Sequence, residues 1–189
     1  TLAGVAFSHD DGETWAQGAG MAMPTVNGIA ADGADLYAAM AHGWRSGESV
    51  YKSADGGVTW TSVSPASETM WRVIAHGGYV FAGSRGAGVF RSGDGGTTWI
   101  ATNSGLVGDA LTTDSMLSTP SRLFLGARDG LYYSDDAGIS WTLTAAISGS
   151  GVAALHDSGA VLYAAKGATL FTSTDGGDFG LRQPAPPAA

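Results

Sequence analysis

The chain is predicted to be all-β, a propeller of four-stranded antiparallel blades with about five repeats, four of them complete and one reduced to an N-terminal hairpin. Three observations carry this. An eight-residue pattern, seen in full at Ser92-Gly93-Asp94-Gly95-Gly96-Thr97-Thr98-Trp99, returns at intervals of roughly 40 residues along the 189-residue chain. Each copy follows a short apolar, aromatic or β-branched run of the kind that forms strands. Between successive copies lie two further apolar runs, which completes four strands per unit.

The other copies are Ser8 to Trp15, Ser53 to Trp60, Ser134 to Trp141, and a worn fifth from Ser173 through Asp175 to Gly177 that has lost its Thr and Trp. The runs before them are Val5-Ala6-Phe7, Val50-Tyr51-Lys52, Val89-Phe90-Arg91, Leu131-Tyr132-Tyr133 and Leu170-Phe171-Thr172. Ser and Asp two apart can accept hydrogen bonds from the amides of their own turn, and a Gly at the fifth position tolerates a positive φ. The chain therefore reverses there, and the Trp anchors the returning strand. The structural corner residues on this reading are Ser8, Asp10, Gly12 and Trp15; Ser53, Asp55, Gly57 and Trp60; Ser92, Asp94, Gly96 and Trp99; Ser134, Asp136, Gly138 and Trp141; and Ser173, Asp175 and Gly177.

The pattern resembles the Asp-box (BNR) repeat, S-x-D-x-G-x-[TS]-W, with four full matches and one degraded match. The resemblance implies a β-propeller in which the boxes join strand C to strand D on the outer rim of one face. It also implies that strand A lines a central channel, and that the D-to-A and B-to-C loops open on the opposite face.

In chain order, Gly4 to about Gln17 supplies a C–D hairpin without A or B. The first complete unit has Gly28-Ile29-Ala30-Ala31 as A and Leu36-Tyr37-Ala38-Ala39 as B. The second has Trp71-Arg72-Val73-Ile74 and Tyr79-Val80-Phe81-Ala82, the third Met116-Leu117 and Leu123-Phe124-Leu125, and the fourth Val152-Ala153-Ala154-Leu155 and Val161-Leu162-Tyr163-Ala164. Residues 1–182 form the propeller, and the tail Gln183 to Ala189 is a Pro/Ala-rich linker end. Four A–B pairs against five C–D hairpins leave three arrangements open: an incomplete five-unit ring, a ring completed by self-association or a partner chain, or a piece of a larger ring.

Composition narrows the function. With no cysteine there is neither a disulfide framework nor a thiolate metal site, and a formal charge of −8 argues against nucleic acid as the main partner. No apolar run approaches the length of a membrane span, and the chain begins at Thr, as a processed or partial protein would.

The charges sort by face. Asp10, Asp11, Glu13, Asp55, Asp94, Asp135, Asp136, Asp175 and Asp178 fall on the box face, with Asp32 and Asp157 in the A–B turns. The B–C connections carry Arg45, Arg85, Arg128 and Lys166, four of the nine basic residues, where composition alone would put roughly one. Trp44, Trp71 and Arg72 share that face. The candidate ligand-binding set is therefore Trp44, Arg45, Trp71, Arg72, Arg85, Arg128 and Lys166: a cationic ring with two aromatic platforms, suited to a carboxylate- or sulfate-bearing protein or glycan. An Arg beside an acid, as Arg128 is beside Asp129, can equally be paired with it.

Other chemistries find less support. The box aspartates lack calcium-loop spacing and read as turn-holders, and the recurring tryptophans read as packing between blades. His9, His42, His76 and His156 share no ligand-like spacing, so no metal site or nucleophile–base pair follows. Gly83-Ser84-Arg85-Gly86-Ala87-Gly88 precedes a strand rather than a helix, which removes a phosphate loop. Resemblance to sialidases implies an arginine triad, a Tyr–Glu nucleophile pair and an Asp acid/base, but the Arg-Ile-Pro signature is absent. Resemblance to xyloglucanase-like hydrolases implies two opposed carboxylates, and none of Glu48, Glu68, Asp109, Asp114 and Asp129 is singled out as such a pair.

The reading is a non-catalytic, cofactor-free binding or scaffold module, extracellular or periplasmic, that presents one loop face to a protein or anionic glycan. The alternatives are a glycoside hydrolase or a fragment of one, and a structural or assembly subunit. Resemblance extends also to the photosystem II assembly factor group and to sortilin-type receptor domains, where such propellers bind proteins and peptides.

Overall fold

The structure is a computed structural model, which describes residues 4–21, 25–40, 49–65, 68–177 and 180–181. Trp44 and Arg45, with His42 and Glu48, lie outside the described residues, as do Arg182 and the tail 183–189.

Strands β1 (Ala6–Phe7) and β2 (Ala16–Gln17) form a hairpin. Four four-stranded antiparallel sheets follow in sequence order, each a meander. The first holds β3 (Val26–Asp32), β4 (Asp35–Met40), β5 (Val50–Ser53) and β6 (Thr61–Ser62). The second holds β7 (Met70–His76), β8 (Tyr79–Ser84), β9 (Val89–Ser92) and β10 (Ile100–Ala101). The third holds β11 (Thr113–Ser118), β12 (Leu123–Ala127), β13 (Gly130–Ser134) and β14 (Thr142–Ser148), and the fourth β15 (Ala154–Asp157), β16 (Leu162–Lys166), β17 (Thr169–Ser173) and β18 (Gly180–Leu181). The innermost strands pack in succession, β3 on β7, β7 on β11 and β11 on β15, and no comparable contact among the described residues joins β15 back to β3. The molecule is a run of four consecutive propeller blades preceded by half of another.

The inner strands exceed the apolar runs that announce them. β7 continues to His76 and β11 begins at Thr113, because antiparallel pairing extends through polar residues that meet a neighbouring blade: Thr113 is fully buried against Gly83, and His76 reaches Ser118. β14 is longer than the other outer strands: after a register shift between Gly130 and Tyr132 the ladder resumes at Ser148, with Ile147 fully buried. A single 3₁₀ turn, Gly108–Leu111, links the second and third blades.

Each box closes its corner the same way. Ser92 Oγ donates to Asp94 Oδ1 at 2.8 Å and accepts from the Gly96 amide at 2.8 Å, while the Thr98 amide and hydroxyl donate to the two oxygens of Asp94 at 2.8 and 2.6 Å. Ser8, Ser53, Ser134 and Ser173 repeat the serine bonds. Not only the fifth position but also the fourth is left-handed: Gly56 and Gly95 have φ of +71°, and Asp11 and Ala137, lacking glycine's freedom, are held at +55° and +54°.

The core lies between blades. Tyr37, Phe81 and Phe124 occupy equivalent places on the second strand of successive blades and are almost wholly buried. The box glycine of the following blade seats on this row: a Cβ on Gly138 would come within 2.4 Å of Phe81, and one on Gly177 within 2.9 Å of Phe124. Trp60 and Trp141 are buried and Trp99 is half-buried, each against the blade before it; the Trp141 and Trp99 indoles donate to Thr102 O (2.9 Å) and Val63 O (2.6 Å). Trp15, expected to pack between blades like the others, is instead 62% exposed, because nothing among the described residues covers the outer side of the β1–β2 hairpin.

Candidate ligand-binding face

In a meander the A–B and C–D turns share one end of each sheet and the B–C and D–A connections share the other, so the box corners and the B–C cations lie on opposite faces. On the second face the first strand of each of three blades carries a bulge at the same level. Pairing slips between Val26 and Gly28, between Met70 and Arg72, and between Thr113 and Ser115, which leaves Asn27, Trp71 and Asp114 as the extra residues. A bulge turns its extra side chain out of the ladder. Here it does so at the channel mouth.

Arg72 ties the three bulges together. Its Nε donates to Asp114 O at 3.0 Å, and its Nη1 to Asn27 O at 3.3 Å and Trp71 O at 3.2 Å. Burial pulls its pKa down, opposed by the Asp114 charge and assisted by Arg85, but a guanidinium starts so high that it stays charged. Arg72 is thus a pin whose donors point at the backbone, and it adds a fixed positive charge to the mouth.

Arg85 follows β8 and is held by an isolated bridge to Thr112. Its guanidinium lies over the Trp71 ring, 3.7 Å from the centroid, and is exposed. Stacking removes rotamer freedom while leaving the in-plane N–H donors available. The Arg128 amide donates to the same Thr112, through its carbonyl, at 3.1 Å, so Thr112 stands between the two arginines. The Arg128 side chain is exposed, and no ion pair joins it to Asp129. Asp129 instead accepts from the Tyr132 hydroxyl at 3.0 Å, and burial together with that carboxylate pushes the Tyr132 pKa up to about 12. Lys166 is spent: its Nζ donates to Ser148 O at 2.7 Å and caps the extended end of β14.

Of the residues named from sequence, Trp71, Arg72 and Arg85 come together, Arg128 lies beyond Thr112 on the same face, and Lys166 is occupied with a neighbouring strand. Asn27 was not singled out from sequence. Its Nδ2 is buried without a partner among the described residues, and its place beside Arg72 becomes legible only when the first strands of the units are aligned on their bulges.

On the box face two ion pairs form among the described residues, and the face stays acidic. Arg122 grips Asp135 through two bonds of 2.6 and 3.0 Å and reaches Gly176 O on the next blade, and Lys52 meets Asp35 at 2.6 Å. At that end of the channel Asp32, His76, Ser118 and Pro120 line a cavity of about 400 Å³, across which His76 Nδ1 and Ser118 Oγ are 3.0 Å apart and tie the second blade to the third. Among the described residues no three His, Asp or Glu side chains converge as a metal site, and no helix is long and apolar enough to cross a membrane.

A family model described as BNR/Asp-box repeat matches residues 132–143. No curated protein sequence matches the chain. Among solved structures, a GH74 enzyme from Niastella koreensis superposes with a TM-score of 0.64 at 18% identity, over 87% of this chain and 25% of that one. YCF48 from Cyanidioschyzon merolae gives 0.59 at 15% identity, over 85% of this chain and 57% of that one. A structure of YCF48 bound to D1 peptide gives 0.59 at 16% identity, over 90% and 59%. The chain thus spans about a quarter of the GH74 enzyme and under two thirds of YCF48, and at these identities the likeness is one of fold. Its repeated corners and consecutive four-stranded blades give the chain the β-propeller fold, and one of those corners is matched as a BNR/Asp-box repeat.

Proposed function

We propose that the chain is a non-catalytic binding module whose channel-mouth face, centred on Trp71, Arg85 and Arg128, receives a carboxylate- or sulfate-bearing segment of a protein or glycan. The observation that carries the reading is the Arg85 guanidinium stacked 3.7 Å above Trp71, an ordered and exposed cation on the same face as Arg128, which forms no ion pair among the described residues. Planar guanidinium forks match carboxylate and sulfate oxygens two at a time, and a cation already ordered loses less entropy on binding. The pinned Arg72 and its bulges hold that surface rigid. The solved complex of YCF48 with D1 peptide is a precedent for a peptide ligand on this fold. An exported location belongs to the same reading and is checked by fractionating the producing cells.

The test is retention on anionic-glycan and acidic-peptide arrays. Charge-assisted bonds contribute about 1.5–3 kcal/mol each, so Arg85→Ala with Arg128→Ala is expected to weaken binding by at least about tenfold, with Lys166→Ala near neutral. Unchanged retention in the double variant overturns the proposal. So does turnover of a chromogenic glycoside that is abolished at Glu68, Asp109 or Asp114.

A further inference from the structure

At the channel mouth the third blade repeats the second, with an acid where the second has an aromatic ring. Met70 pairs with Ser84 and Thr113 with Ala127, so Asp114 and Arg128 stand in the register of Trp71 and Arg85. Arg85 lies on its ring, whereas Arg128 and Asp114 form no ion pair among the described residues. Asp114 gives Arg72 only its backbone oxygen, and its carboxylate accepts no hydrogen bond among the described residues. That carboxylate is half-buried but open to solvent, unlike Asp129, whose Oδ1 is shut away.

Gly151, at the entry to the fourth blade, lies against both residues. A Cβ on it would stand 3.0 Å from Asp114 Oδ2 and 3.6 Å from the Cα and the carbonyl oxygen of Arg128. Its φ is not in the left-handed region, so the backbone does not call for glycine at this position. The missing side chain leaves a notch with a carboxylate on one wall and the root of Arg128 on the other. On its far side Asp114 faces the pinned Arg72, which feels the charges of both Asp114 and Arg85. The mouth is therefore not uniformly cationic: an open carboxylate sits among three arginines.

Such a carboxylate repels a ligand that carries anions alone. It favours one whose anion has a cation beside it, because each ligand charge then meets its opposite. Protein segments present that pair wherever Lys or Arg adjoins Asp or Glu, whereas sulfate groups on a glycan come without the cation. We infer that the mouth selects a protein segment in which a basic side chain adjoins an acidic one. The basic group enters the notch at Asp114 and Gly151, and the acidic group meets Arg128 or Arg85. Resting on the anion-binding reading of the same face, this selectivity narrows the partner from protein or glycan to protein.

The test compares three probes on the 189-residue chain: a peptide with neighbouring Glu and Lys, the same peptide with Ala for Lys, and a sulfated glycan. A mouth that reads anions alone prefers the last two. The Glu-Lys peptide is instead expected to bind tightest, and Asp114→Asn to weaken it by about tenfold or more while leaving the Glu-Ala peptide unweakened. Gly151→Ala, which fills the notch without straining the backbone, should weaken the same peptide. Asp11→Asn makes an equal change of charge on the box face and should not, which separates the notch from the general pull of a −8 chain on a basic residue. Equal affinity for the two peptides overturns the inference while anion binding stands, and so does an Asp114→Asn loss no greater than that of Asp11→Asn. Displacement of the Glu-Lys peptide by equimolar free glycine also overturns it, since the site would then read an amino-acid headgroup. If none of the three probes is retained, the anion-binding reading falls and this selectivity falls with it.

Discussion

The box aspartates show how a surface carboxylate becomes structural without being buried. Bonds from Thr14 and Ser8 hold Asp10 down to about 2, and bonds from Thr59 and Thr98 do the same for Asp55 and Asp94. At Asp136 burial pushes upward and is outweighed by bonds from Ser140 and Ser134, again leaving about 2. A folded-state pKa below the unfolded one means that the stabilisation is complete above the unfolded value, near about 4, and is lost as pH falls toward the folded value. Thermal stability is therefore expected to stay level from neutrality to about pH 4 and to fall between about pH 4 and 2. Asp94→Asn should lower the neutral-pH melting temperature and shrink that acid-side fall, measured by melts in a buffer series. An unchanged acid-side slope in the variant would show that this carboxylate contributes nothing to it.

At the scale of the strand and its corner, the same tryptophan has different worth according to what lies beside it. Trp141 is 3% exposed, packs among Phe81, Leu106 and Tyr132, and donates its indole N–H to the preceding blade. Trp141→Ala should cost about 3–5 kcal/mol in chemical denaturation, as emptied aromatic sites do. Trp15→Ala should stay within about 0.5 kcal/mol of the parent. Equal losses at both positions would mean that the hairpin is covered in solution. The contrast marks what the sequence could reveal. Corners were legible because Ser, Asp and Gly act within eight residues of one another, and strands because their apolar runs are bounded by those corners. The exposure of Trp15 depends on a neighbour, not on its motif. The bulges at Asn27, Trp71 and Asp114 are events of register between two strands, and the loss of Lys166 to Ser148 follows from an extension of β14 that its own composition does not announce.

Among the described residues the innermost strands pack each blade on its neighbour, so stability is expected to behave as a sum of blade and junction terms along one dimension. The second and third blades are covered on both sides, by β3 and β15 respectively at their outer junctions and by each other between. The fourth blade is covered on one side, and the hairpin contributes two residues per strand with one apolar anchor, Val5, in a neighbouring cluster. Amide exchange should therefore rank β8 and β12 slowest, β16 faster, and β1 and β2 fastest, with the hairpin opening before any blade does. The trapped box amides supply an internal control, since Gly96 and Gly138 each donate to a buried serine, whereas Gly12 donates to the half-buried Ser8. Uniform protection from hairpin to last blade would mean instead that the blades open as one cooperative unit.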